Sequence, residues 1–342
     1  MTVKAKEETR HGHRIQEASG FISTVGFLPL TAAVILALCL TSNLGCSSPS
    51  RKSEGTASRM EAPVKMPDRA NMEPKSGEFR MVDPAVQSEL ERMEAEKRAT
   101  LLTDAESAIQ ETRNALAALD KGDKQAALAA LERATGKLDL VVARDPAMAL
   151  APVSVSTTML DLYATPDTVK AVVTAARDNL IIGQVQQARR LVQDLASEAD
   201  IHVAEIPLAT YPPAIRAITP LVDAGRIEEA KAALYAALNT LVIETYVVPL
   251  PKIRAEAMLA VADTLAARSD RKDVDKAKLN GLINGARREL QLAEVLGYGT
   301  KDSYKPLYAQ LDEIQKKTES GQSGRGIFDR FRHSLRSFKF SS

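Results

Sequence analysis

Tryptophan is absent from this 342-residue chain, and aromatic residues together make up only 4% of it. A core built almost without rings must close by small side chains approaching one another tightly. Cysteine is nearly absent too: Cys39 and Cys46 are too few for a disulfide framework or a four-thiolate zinc site. Of the four histidines, His11 and His13 lie near the start, while His202 and His333 stand alone. His202-x-x-Glu205 offers two ligands, short of the set a metal needs, so neither a metal nor a cofactor is expected. His202 reads instead as a partly exposed polar residue at a helix end. A Walker glycine loop, a nucleophile elbow and paired cysteines are all missing. Carboxylates fall beside Lys and Arg at helix-surface spacing, as in Glu228-Glu229-Ala230-Lys231, which marks solvated faces. No catalytic residue emerges, and the chain reads as a non-enzyme. An excess of one charge is also lacking: 45 Lys and Arg face 44 Asp and Glu, which argues against a nucleic-acid partner.

What is present is unevenly spread. Residues 18–50 carry no charge, and Phe21–Leu44 is mostly apolar after a start that contains Lys4, Lys6, Arg10 and Arg14. Residues 1–46 therefore read as an export signal or membrane anchor. Leu44-Gly45-Cys46 resembles a bacterial lipobox, whose cysteine becomes acylated, although Asn43 stands three residues before Cys46 where a leucine is usual. Lipid attachment at Cys46, a membrane helix over 21–44 and cleavage with secretion all stay open. Each places the remainder outside the cytoplasm, in the cell envelope, and the first two make the membrane a partner. Residues 47–82, rich in Ser, Pro, Met, Lys and Glu, read as a disordered tether. Asp83-Pro84 then reads as an N-cap and first helical residue.

From 83 to 320 the pattern is helical. Thr103-x-x-Glu106 has the form of a capping box, opening a run with Ile109, Thr112, Ala115, Leu116 and Leu119 at helical spacing. Gly122 ends that run and Asp123 opens another, which stops at Asp145-Pro146. This hairpin recurs. Gly122, Gly183 and Gly225 are each followed 24 residues later by a proline (Pro146, Pro207, Pro249) and five residues later by an alanine (Ala127, Ala188, Ala230). Apolar residues recur three before the glycine (Leu119, Leu180, Val222) and nine after it (Leu131, Val192, Leu234). The second and third copies are 42 residues apart and the first precedes the second by 61. An insertion around 148–166 accommodates the difference, and its Val153 and Val155 alternate with Ser154 and Ser156 as in a strand. A degenerate fourth hairpin follows, Arg254–Ala267 with Val274–Leu296. The expected fold class is all-α: about four stacked helical hairpins with short extended, proline-containing connectors.

The residues Ala164-Thr165-Pro166, Gly183, Ala188, Pro207-Leu208, Ala214-Ile215, Leu221-Val222-Asp223-Ala224-Gly225, Glu229-Ala230 and Ala233-Leu234 resemble the YfdX family of bacterial envelope proteins. The likeness covers roughly 105–250. It implies an exported, mostly helical protein linked to stress survival, with chaperone-like or small-molecule-binding behaviour and no established catalytic residues. Such a protein would bind unfolded clients or a small apolar ligand, with a homo-oligomer or an interaction scaffold as further possibilities.

Two apolar segments at corresponding places of the second and third copies, 201–213 and 241–251, mix prolines and β-branched residues with Tyr211 and Tyr246. They read either as connectors closing the core or, with Ile206 and Val248, as the border of a ligand or client cleft. A tail over 325–342 follows the flexible run 320–324. Its Ile327, Phe328, Phe331, Leu335 and Phe338 form one helical stripe, and Arg330, Arg332, His333, Arg336 and Lys339 fill the rest. A basic amphipathic helix of this kind suits an anionic membrane or a partner groove, or else docks on its own domain, where 29 basic residues face 35 acidic ones over 83–320.

Overall fold

Each of the three glycines does end a helix, and a strand follows each hairpin. The computed structural model describes residues 77–338. Within them α1 (Gly77–Arg98) leads into α2 (Thr103–Asp120), which turns at Gly122 into α3 (Lys124–Arg144) and then β1 (Leu150–Leu160). The second unit is α4 (Pro166–Ile181), Gly183, α5 (Val185–Val192) and β2 (Glu198–Pro207); the third is α6 (Tyr211–Asp223), Gly225, α7 (Ile227–Leu238) and β3 (Val242–Pro249). Four helices complete the described chain: α8 (Leu250–Ala266), α9 (Asp273–Leu296), α10 (Lys301–Glu319) and α11 (Arg325–Ser337). The glycines take φ of 73°, 78° and 72°, the left-handed turn that a side chain would strain. Asp123 caps α3 by accepting from the Ala126 amide at 2.9 Å, as its sequence position predicts.

The all-α expectation is corrected by a three-stranded antiparallel sheet in the order β1-β2-β3. The proline-bearing segments are its second and third strands. Their backbone groups, which a lone connector would leave to solvent, pair across the ladder. His202 accordingly lies in β2, its Nδ1 2.9 Å from Thr245 Oγ1 on β3, and not at a helix end. Tyr211-Pro212-Pro213 opens α6, because proline is tolerated in a first helical turn, where its missing N–H has no partner to lose. The spacing of Pro146 misleads: α3 runs 21 residues against 8 in α5 and 12 in α7. Pro146 therefore precedes β1, whereas Pro207 and Pro249 close β2 and β3. Helix α1 starts at Gly77 with Pro84 inside it, so the last residues assigned to the tether are helical. Leu102, not Thr103, is the N-cap of α2, and no side chain caps there.

Two apolar cores share the sheet. Ala151, Val153, Ile206 and Leu208 pack with α2, α3, α6 and α7. Val155, Ala199, Ile201, Val203 and Val248 pack with α1 and α8 to α11. A bulge in β1 between Pro152 and Ser154 lies where the two sets meet, and such an extra residue re-aims the side chains on either side of it. In the first core Ala105, Ala108, Ala115, Ala127, Ala130 and Ala134 are all buried. These small residues let α2 and α3 close tightly without large rings.

The tail is not a free amphipathic helix. Ile327, Phe328, Phe331 and Leu335 are buried in the second core, and the Phe338 ring lies 4.9 Å from that of Tyr304. Arg330 pairs with Glu313 at 3.3 Å and Arg336 with Glu256 at 2.9 Å, so the tail's cations face carboxylates of its own domain. The expected membrane-anchored, periplasm-facing protein is likewise corrected, since among the described residues no helix is long and apolar enough to cross a membrane. The stretch 21–44 and Cys46, on which that expectation rested, lie outside the described residues.

Candidate functional site

The four residues expected to border a cleft do not come together. Tyr211 is fully buried in the first core, its hydroxyl donating to Thr112 Oγ1 at 3.1 Å, and burial pushes its pKa up. Ile206 is buried beside it. Tyr246 sits on β3 with Lys97 Nζ 3.1 Å above its ring centre, a cation–π contact. Its hydroxyl donates to Glu244, which raises the phenol pKa to about 12. Of the four, Val248 lines the cavity described next.

That cavity is a cleft of about 990 Å³ between α1, α8, α11 and the end of β3. Helical periodicity builds it. Ala85, Glu89, Arg92 and Met93 form one stripe of α1, and Lys252, Ile253, Glu256, Ala257 and Ala260 one stripe of α8. Arg332 and Arg336 project from successive turns of α11, and Val247, Val248 and Pro249 close the end. The docking of α11 thus makes a wall of the cleft. Apolar and charged side chains share the lining, with four cations against two carboxylates. Glu89 accepts from Arg92 at 2.6 Å, which holds its carboxyl below the usual range. Lys252 is the cation most affected by burial, which lowers its pKa. An anionic head would restore the charge stabilisation that burial removes. No local signature in the sequence marks these residues, because α1, α8 and α11 are distant in the chain and each reads alone as an ordinary amphipathic helix.

A second polar cluster is enclosed between the sheet and α8 and α9. Arg254, 5% exposed in its side chain, pairs with Asp161 at 2.7 Å, and its guanidinium lies 4.3 Å from the Phe79 ring centre. Tyr298 Oη accepts from the Ser197 amide at 2.9 Å. Glu289 is buried nearby, and its Oε2 meets no donor among the described residues. Burial raises its carboxyl to about 7, against the pull of Arg254. The folded chain therefore keeps a proton that the unfolded chain releases near its ordinary pKa. Stability should fall as pH rises from about 4.5 to about 7 and stay level above, a total near 3 kcal/mol. Glu289→Gln should thus gain stability over the native chain at pH 8 and much less at pH 5. Urea unfolding at the two pH values checks this; an equal difference at both would refute it. Among the described residues no group of three or more His, Cys, Asp or Glu could hold a metal ion.

The architecture, three hairpin-and-strand units sharing one small sheet, defines a mostly helical domain whose site is a cleft at its edge. Residues 108–247, less than half of the 342-residue chain, match the family model described as YfdX protein. The match spans those three units and leaves out α1, α8 and α11, which form most of the cleft. The chain is similar to a solved structure of Salmonella Typhi YfdX, with 15% identity over 44% of this chain and 93% of that one, at a TM-score of 0.31. No curated protein matches the chain.

Proposed function

We propose that this protein is a non-enzymatic binding protein that takes up small amphipathic molecules with an anionic head in the cleft between α1, α8 and α11. The observation that carries the reading is a lining of about 990 Å³ that brings apolar side chains (Met93, Val248, Ile253, Ala257) together with Arg92, Lys252, Arg332 and Arg336. A cavity of this size suits a ligand of some ten to twenty heavy atoms, whose burial supplies the affinity while the cations fix its orientation. Binding needs no nucleotide, since removing apolar surface from water drives it. Sequestering such compounds is a stress function of the kind the family resemblance implies. The binding domain then runs from α1 to α11, with the tail as one of its walls.

Calorimetric titration with dodecanoate and with dodecyltrimethylammonium tests this. Dodecanoate should bind at least about tenfold more tightly, the equivalent of one favourable charge interaction in a partly buried site. Ala257→Phe, which fills the cavity, should abolish uptake while circular dichroism stays unchanged. Equal binding of the two amphiphiles, or undiminished uptake by the filled variant, would sink the proposal.

A further inference from the structure

The strand order leaves β1 and β3 as the two edges of the sheet, and they are finished differently. On β1, Pro152 and the bulge that follows it interrupt the edge, and the Pro152 carbonyl accepts the Leu102 amide at 3.1 Å. Thr157 Oγ1 donates to Glu94 of α1 at 2.9 Å, and α1 and α2 both pack along that strand. Proline, bulges and covering helices are the usual means by which an edge is closed to further pairing. β3 carries neither a bulge nor an internal proline. Its register with β2 runs unbroken from Val242 to Pro249, and Val242 and Ile243 are 40% and 56% exposed. Its single charged residue, Glu244, accepts from the Tyr246 hydroxyl. Among the described residues, the backbone of 242–248 hydrogen-bonds to β2 alone, so amides and carbonyls of alternate residues point outward unpaired.

That open edge leads into the cleft. Val247, Val248 and Pro249 all line it, although consecutive strand residues point to opposite faces of a sheet. A cavity touched by all three meets the strand from its side and not from one face. β2 holds the inner side and contributes no residue to the lining, which leaves the outer edge as the side that the cleft adjoins. From Val242 to Val247 the edge runs about 17 Å at the usual rise per residue, room for about four or five residues of an added strand. Beyond it stand Lys252 in the first turn of α8, then Arg92, Arg332 and Arg336, against Glu89 and Glu256. Both carboxylates are engaged by arginine, Glu89 by Arg92 at 2.6 Å and Glu256 by Arg336 at 2.9 Å. The surplus of cations is complementary to an anion at the end of whatever follows the edge.

We infer that the outer edge of β3 and the cleft together form a docking site for the C-terminal end of another polypeptide. Its extended segment adds to the sheet as a fourth strand parallel to β3, and its last residue enters the cleft with a free carboxylate. The direction follows from the charges. β3 runs towards the cations, so only a strand running with it brings its C-terminus to them; an antiparallel strand would offer its N-terminal end. Main-chain hydrogen bonds supply affinity that depends little on sequence, and the cleft selects an apolar last residue beside Met93, Ile253 and Ala257. The assignment rests on the reading of the cleft as a site for amphipathic anions, and it names a macromolecular one whose head is the terminal carboxylate.

Titration of the full chain with an acetylated peptide of sequence Ser-Thr-Val-Thr-Val-Val tests the assignment. The free acid should bind, and its C-terminal amide should bind at least about tenfold more weakly, the loss of one charge interaction in a partly buried site. N-methylation of alternate peptide amides, made in both registers, should weaken binding at least about tenfold in one register and little in the other. Only every second residue of an added strand turns its amide to β3. Hydrogen exchange should slow at alternate amides of residues 242–248 with the peptide and not with dodecanoate, which enters the cleft alone. Equal binding of acid and amide, equal effects of the two registers, or unchanged exchange along β3 would overturn the inference. Binding of dodecanoate without binding of the peptide would overturn it and leave the cleft reading standing, whereas failure of both ligands would remove both. Slowed exchange along β3 in the free chain that grows with protein concentration would assign the edge to a second copy instead.

Discussion

Asp161→Ala should cost this protein about 3–5 kcal/mol, because it removes the counter-charge of a buried guanidinium. The Arg254 side chain is 5% exposed, and its Nε meets no acceptor among the described residues. Beyond Asp161 it meets Ser197 Oγ at 3.5 Å and the faces of Phe79 and Tyr163. A cation left there can neither reach water nor lose its proton, since guanidinium stays charged at any physiological pH. Replacing both partners by apolar residues of similar size, Asp161→Leu with Arg254→Met, should restore most of the loss, since the charge and its penalty leave together. Urea unfolding at pH 6, where Glu289 holds its proton, gives the comparison. A single-variant loss below about 1 kcal/mol, in the range of an exposed ion pair, would show that water reaches the pair.

Phe331→Ala should lower stability by about 3–5 kcal/mol, the usual cost of emptying a large aromatic site. Phe331 is fully buried, with Phe328 and Leu335 packed in the same core as α8 and α10. The effect separates a docked helix from one resting on the surface, for which the same change would cost less than about 1 kcal/mol. It should also empty the cleft of ligand, because Arg332 and Arg336 reach it only while α11 is in place. Unfolding curves and dodecanoate titration on the one variant measure both consequences.

The sequence announced the helices well and their partners poorly. The glycine-to-alanine spacing at Gly122–Ala127, Gly183–Ala188 and Gly225–Ala230 is a local signal, and all three alanines are buried as that spacing requires. The alternation of Val153 and Val155 with serines likewise marks β1. The other two strands were hidden by their prolines, which argue against a ladder interior but here stand at strand ends, Pro207 and Pro249. The stripe of α11 was equally clear, yet periodicity says only that a face is apolar and not what covers it. Ion pairs to Glu313, Asp263 and Glu256 decide that, and they come from helices far away in the chain. The cleft is invisible for the same reason.

The alternation of hairpin and strand also bears on how the chain folds. Pairing Leu160 with Glu198, or Glu205 with Val242, would ordinarily mean closing a loop of nearly forty residues against its entropy. Each of these loops is a helical hairpin that can form from its own residues and bring its two ends back together. Once it has, the strands meet across a gap no wider than a tight turn. The topology therefore lets a sheet of distant residues be assembled from local events, with the glycine turns of helices outside it bringing the strands together.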